Sequence, residues 1–180
     1  QNVVVVIDGI RVSENELTGA RLSAIAPEMI ERIEVMRGGS SVQWGEGASA
    51  GVIQVVLRQG GAQGVSGSVT AQLESFNGRD LRADLRVGSG DTRFDATVRH
   101  VQTDGYRDNS RARQDVASVG VASRIGDLRL RARVNSETAD NRLAGPLSFA
   151  EYAANPRQST YPDDHGDNAE TRVSVGLDYR

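Results

Sequence analysis

The side chains able to do chemistry in this chain are arginines and carboxylates. All 21 basic residues are Arg, set against 24 Asp and Glu, and there is no Cys. Without Cys there is no disulfide, thiolate metal site or Cys nucleophile. The spacing of the charges is more informative than their number. Glu31, Arg32, Glu34 and Arg37 crowd one short run, while Arg82, Asp84 and Arg86, then Arg93, Asp95 and Arg99, then Arg129, Arg131 and Arg133 recur at even intervals. Arginine and carboxylate make directional, often bidentate hydrogen bonds. Where water reaches them each pair is modest in strength, so the pattern suits many separable contacts better than bond-making catalysis.

Other constellations are weak. No Ser–His–Asp order or isolated carboxylate pair rises above background, so the chain is read as a non-enzyme that needs no cofactor. Gly45-x-Gly47-x-x-x-Gly51 does not match a dinucleotide fingerprint, and a Walker lysine is impossible without Lys. Asp163-Asp164-His165-Gly166-Asp167-Asn168 offers oxygen ligands to a hard cation. It lacks EF-hand spacing, and a plain loop is the better reading, so no metal site is assigned. His100 reads as a strand residue. A formal net charge of -3 without a concentrated basic surface gives no reason to expect nucleic-acid binding.

The elements that must position these charges fall into two regions. In the first, no apolar run approaches the ~18 residues of a membrane-spanning helix. The longest, Val3–Ile7, suits a buried strand, and Asp8-Gly9 is a turn signal leading to a returning strand at Ile10–Val12. Pro27 is placed to start a short helix, with Ile30 and Ile33 on one face of it. Glu34–Arg37 continues as strand, Gly38-Gly39 breaks it, Ser40–Trp44 makes a helical turn, and Gly51–Leu57 is another apolar strand. Gln59-Gly60-Gly61-Ala62-Gln63-Gly64 is small, flexible and aperiodic, the natural junction.

The second region has period two. Val65, Gly67, Val69, Ala71 and Leu73 alternate with polar residues. So do Leu81, Ala83, Leu85 and Val87; Phe94, Ala96 and Val98; Ala117, Val119 and Val121; Leu128, Leu130, Ala132 and Val134; and Val173, Val175, Leu177 and Tyr179. About six strands with one apolar and one strongly polar face follow from this alternation. A soluble antiparallel sandwich with a polar exterior fits it. So does a membrane barrel wall with a polar lumen, with which a mean hydropathy of -0.42 is compatible.

The connections distinguish the two. Asn77-Gly78, Gly88-Ser89-Gly90-Asp91 and Ile125-Gly126-Asp127 are short, whereas Asp104–Gln114 and above all Thr138–Glu170 are long. Outer-membrane barrels put short turns on the periplasmic side and long loops outside. If the first strand rises from the periplasm, the links after the second and fourth strands must be short, and they are. A link as long as the last is unusual in a compact domain unless it is functional.

The first region resembles the second half of the plug domain of TonB-dependent outer-membrane receptors. Val3–Gly9, Ile30–Val35 (Ile-Glu-Arg-Ile-Glu-Val), Arg37-Gly38, Trp44-Gly45 and Ala50-Gly51-Val52-Ile53 match that family's order and spacing. Gly39, Trp44 and Ala50 stand where Pro, Tyr and Gly are usual. Asp104–Ser110, Leu143–Ser148 and Asn155–Gln158 look like external loops of ferric-citrate-type siderophore receptors. The resemblance implies a mostly β chain: part of a small α/β plug over residues 1–59, a linker over 60–64, and about six antiparallel strands of an incomplete transmembrane β-barrel over 65–180. Complete barrels of this plugged class have about 22 strands. The start shows no signal peptide and both ends fall within strands, as expected of an internal fragment.

The resemblance also implies a function: import of a scarce small molecule, foremost a ferric siderophore or other iron chelate, across the outer membrane of a Gram-negative bacterium. The partners implied are the TonB–ExbB–ExbD energy-coupling system, the chelate and outer-membrane lipid. Arg11, Ser13, Glu14 and Asn15 occupy the place of an apical plug loop and are the candidate ligand contacts. Glu31, Arg32, Glu34 and Arg37 are candidate plug partners of barrel residues Glu74, Arg82, Asp84 and Arg86. Arg82, Arg86, Arg93, Arg99, Arg129, Arg131 and Arg133 would make the lumen wall electropositive, unless Asp84, Asp95 and Glu74 neutralise them locally. The competing reading is a soluble all-β binding or adhesion module with a small α/β cap.

Overall fold

The computed structural model describes residues 3–12, 29–38, 44–45, 47–58 and 63–179. The chain divides into two units, Gln1–Arg58 and Gln59–Arg180, each taken by itself below.

The first unit is built on a mixed sheet of β1 (Val3–Ile7), β2 (Ile10–Arg11), β3 (Ile30–Arg37) and β4 (Gly51–Leu57), in the order β2-β1-β4-β3. Strand β1 runs parallel to β4, and β3 runs antiparallel to β4. The two central strands are covered on both faces, which is why Val-Val-Val-Val-Ile is continuously apolar rather than alternating. Val4, Val6, Ala48 and Val52 pack on one side with Met36 and Trp44. Ile7, Met29, Val55 and Leu57 pack in a second cluster with Val12 and Ile30. Asp8 and Gly9 both take positive φ, at 47° and 84°, the geometry a two-residue hairpin turn demands. The Asp8 carboxylate also accepts the Leu57 N–H at 2.9 Å, tying the hairpin to the end of β4.

The second unit is a single antiparallel sheet of β5 (Gly64–Glu74), β6 (Gly78–Ser89), β7 (Thr92–Thr103), β8 (Ala112–Ile125), β9 (Leu128–Arg142) and β10 (His165–Tyr179), ordered as in the chain. Its registers run unbroken from strand to strand. Every apolar set read from the sequence therefore lands on one face. That face is open to solvent: Val69 is 85% exposed, Leu73 81% and Val175 75%. The polar face is the covered one, with Ser118 1% and Arg133 9% exposed. A soluble sandwich would bury the apolar rows, because their burial drives folding in water. The inverted distribution is that of a wall facing lipid outside and a polar lumen inside.

The two edges of the wall differ as the loop lengths require. At one edge, Gln63 exchanges hydrogen bonds with the Gly90 backbone at 2.6 and 3.1 Å, and the Arg124 N–H reaches Asp91 O. At the other, Asn77 Nδ2 donates to Asp104 Oδ2 at 2.6 Å, and the Arg142 N–H donates to Arg111 O at 2.7 Å.

Four local expectations are corrected. Ile30 and Ile33 belong to strand β3, not to a helix face; pairing with β4 overrides the helix signal from Pro27, which itself lies outside the described residues. The last long link spans 143–164, because β9 and β10 extend beyond their apolar sets as polar strands, and the earlier one spans 104–111 for the same reason. His165–Asn168 thus lies in β10 rather than in a loop. Within 143–164 sits a short helix, α1 (Phe149–Ala154), which Ser148 and Glu151 close with a reciprocal capping box.

Candidate functional site

The chemistry of the second unit lies in a lattice on its polar face. Because a strand's side chains alternate and paired residues share a face, the register alone lines up Arg82 with Arg99, Asp84 with Thr97, and Asp95 with Gly120 and then Arg133. Arg133 donates Nη1 and Nη2 to the two oxygens of Asp95, both at 2.8 Å, and Nη1 also to Ser118 Oγ at 3.0 Å. Arg99 holds Asp80 through Nε at 3.0 Å and Nη2 at 2.6 Å. Buried Asp84 accepts from Thr97 Oγ1 at 2.9 Å and Ser68 Oγ at 3.3 Å, with Arg82 Nε 3.3 Å away. Arg131 pairs with Asp178 at 2.9 Å.

Of the local neutralisers expected from sequence, Asp84 and Asp95 act as such. Glu74 instead accepts from Gln72 at 2.9 Å, and the carboxylate that Arg99 holds is Asp80, its diagonal neighbour across β6 and β7. Extending the alternation of Arg82 and Asp84 by one step would have found Asp80. His100 points to the other face, where its Nδ1 lies 2.6 Å from Asp115 Oδ1 and Arg113 Nε donates to Asp115 Oδ2 at 2.9 Å. Among the described residues no group of His, Asp or Glu is arranged to hold a metal ion.

The long-loop edge is clasped by two side chains. Arg107 donates to Gly145 O at 2.6 Å, to Ala144 O at 3.2 Å, and to Gln158 O at 3.1 and 2.8 Å. Asn109 Nδ2 donates to the carbonyls of Leu143, Tyr161 and Asp164. In return, Arg157 donates to Tyr106 O at 3.1 Å and lies over the Tyr106 ring, which meets Phe76 edge-on at 5.8 Å. The 104–111 loop therefore sets the shape of the 143–164 loop. Sequence reasoning assigned Arg107 and Asn109 no role, since their partners are backbone carbonyls more than 30 positions away. On the helix of that loop, Phe149 is 89% exposed and Tyr152 projects to solvent beside it. The Glu151 carboxyl is held below its usual range by the Ser148 hydroxyl and then by the Ser148 N–H.

In the first unit the charged run of β3 pairs with itself. Arg32 donates Nε to Glu34 at 2.7 Å and Nη1 to Glu31 at 2.8 Å. Arg32 and Glu34 share a face at i and i+2, and Glu31 joins them because a bulge between Ile30 and Arg32 breaks the alternation there. The Glu34 hydrogen bond leads in raising the Arg32 pKa above its ordinary value, with Glu31 assisting. Arg37 is exposed at the end of the strand. Arg11 donates Nη1 to Trp44 O at 3.3 Å, while Ser13, Glu14 and Asn15 lie outside the described residues.

Known proteins resemble this chain in sequence and in fold. Residues 1–52 match the family model described as TonB-dependent Receptor Plug Domain. The ferrienterobactin receptor of Escherichia coli (strain K12) is 34% identical over 73 residues, which is 35% of this chain and 10% of that protein. The ferric aerobactin receptor of Klebsiella pneumoniae is 36% identical over 58 residues, 32% of this chain and 8% of that protein. The crystal structure of the ferric citrate transporter FecA in its unliganded form superposes with a TM-score of 0.80 at 22% identity, covering 99% of this chain and 29% of that one. The chain thus spans about a tenth of the sequence relatives it matches. Its opening residues are similar to plug-domain sequence, and the fold of the chain is shared with part of the ferric citrate transporter.

Proposed function

We propose that this segment of the TonB-dependent receptor family serves in an outer-membrane receptor that imports a ferric siderophore or similar iron chelate, driven by the TonB–ExbB–ExbD system. One observation carries the membrane part of this reading: the wall exposes its aliphatic face and covers its ion-paired one. The iron chelate follows from the relatives, two of which are named as receptors for ferric chelates. Residues 1–59 act as plug, 60–64 as linker and 65–180 as barrel wall. Arg11, Ser13, Glu14 and Asn15 are the proposed plug contacts to ligand. Glu31, Arg32, Glu34 and Arg37 are proposed to exchange partners with Glu74, Arg82, Asp84 and Arg86. Such pairs are individually modest, so a plug held by them can move without unfolding the wall.

The test is made on the intact gene product. It should fractionate with the outer membrane and show heat-modifiable gel mobility. Cells carrying it should accumulate radioactive iron from a chelate only while TonB is present. Recovery in the soluble fraction would refute the membrane reading, and TonB-independent uptake would refute the energy coupling.

A further inference from the structure

The register of the wall reveals a charge gradient along its polar face. The four rows nearest the long loops hold Glu74, Asp80, Arg82, Arg99, Glu137, Glu170, Asp84 and Arg172: three arginines against five carboxylates. The three rows nearest the short turns hold Arg86, Asp95, Arg133, Arg93, Arg131, Arg124, Arg129 and Asp178: six arginines against two carboxylates. Asp95 is already taken by Arg133 and Asp178 by Arg131. Among the described residues, neither Arg124 nor Arg129 has a carboxylate partner.

Arg124 and Arg129 are moreover direct cross-strand neighbours. Like charges at that position repel, their Cβ atoms being about 5 Å apart. With Asp127, Arg131, Asp178 and Tyr179 they line a cavity of about 580 Å³ at the short-turn edge, within the size range of small-molecule sites. Two planar guanidinium forks facing one cavity match the geometry of a carboxylate or phosphate. An oxyanion held there would convert their repulsion into shared hydrogen bonding.

We propose that the Arg124–Arg129 pair is a binding site for a small oxyanion, used by an anionic solute as it leaves the lumen at the short-turn edge. The binding stands on the geometry alone; only its use in passage rests on the import reading.

The test uses the intact receptor in detergent at low ionic strength, with radiolabelled inorganic phosphate as probe in equilibrium dialysis. Wild type should bind phosphate saturably. The Arg124→Gln, Arg129→Gln double variant should bind about tenfold more weakly or worse, as expected when two charge-assisted contacts are lost. Arg79→Gln, on the opposite face of the wall, should bind as wild type does. Equal weakening by Arg79→Gln would mean diffuse attraction and overturn the proposal. Absence of saturable binding would overturn it too, including the case in which a carboxylate of the receptor itself fills the cavity. Heat-modifiable mobility, run on every variant, reports the barrel separately, so a folded receptor that fails to bind phosphate refutes the site and not the membrane reading.

Discussion

Arg133 on β9 reaches across β8 to hold Asp95 on β7, and it passes over Gly120. A Cβ built at Gly120 would lie 2.5 Å from Arg133 Nη2, 2.7 Å from Arg133 Cζ and 2.8 Å from Asp95 Oδ1. The missing side chain is therefore the channel through which a three-strand ion pair is made. Gly120→Ala should displace the guanidinium and destabilise the wall by about 1–3 kcal/mol, the usual cost of overpacking. Asp95→Ala should cost about 3 kcal/mol or more, because it leaves a buried arginine uncompensated. Denaturant unfolding of the intact receptor, followed by heat-modifiable mobility, measures both. If Gly120→Ala unfolds as wild type does, the channel is not needed.

Gly51 opens β4 at φ +151°, and a Cβ there would lie 2.4 Å from the backbone oxygen of Met36. That atom belongs to the β3 ladder and cannot move aside as a side-chain tip would. Gly51→Ala should therefore weaken β3–β4 pairing by about 1–3 kcal/mol. Faster amide hydrogen exchange at residues 34–37, with none at β6–β8, is the expected signature. Unchanged exchange at β3 would show that the strand absorbs the methyl group.

Arg107 should matter more than its surface setting suggests. Arg107→Ala takes the donor from the Gly145 and Gln158 carbonyls of the 143–164 loop, while Ala144 O keeps the Thr160 N–H, and should loosen that loop by about 1–3 kcal/mol. Limited proteolysis within 143–164 should accelerate several-fold in the intact receptor. Arg107→Lys should not restore protection, because one ammonium cannot reproduce the guanidinium fork. Full rescue by Lys would argue that charge, not geometry, holds the loop.

Glu151 gives a pH-dependent test. Its folded pKa is lowered, so its support of the α1 cap is present above the ordinary carboxylate range. That support is lost as pH falls through the depressed value. Site-specific NMR titration should place Glu151 below an unconstrained glutamate, and Ser148→Ala should return it towards the ordinary value. Identical titration with and without Ser148 would exclude the reciprocal cap.

Much of this architecture is written locally. The alternation of Leu81, Ala83, Leu85 and Val87 with Arg82, Asp84 and Arg86 specifies a two-faced strand, because the side-chain period of a strand is two. Asp8-Gly9 specifies a hairpin because both positions must take positive φ. Ser148-x-x-Glu151 encoded a helix start that a reading by apolar periodicity passes over, since α1 buries no residue. The Ile30–Ile33 spacing misled for the opposite reason: a helix period in so short a run yields to pairing with β4.

Residue order along each strand dictates which residues share a face, where the chain turns, and that one face is aliphatic and the other charged. These are properties of neighbours along the chain. Which face is covered, which carboxylate answers which arginine, and which arginines remain for something else are settled by pairing between strands. Asp80 rather than Glu74 holds Arg99, and Arg133 crosses Gly120 to Asp95, because strand register brings together residues 19 and 38 positions apart. That register is the sum of many backbone hydrogen bonds and cannot be read from any one strand.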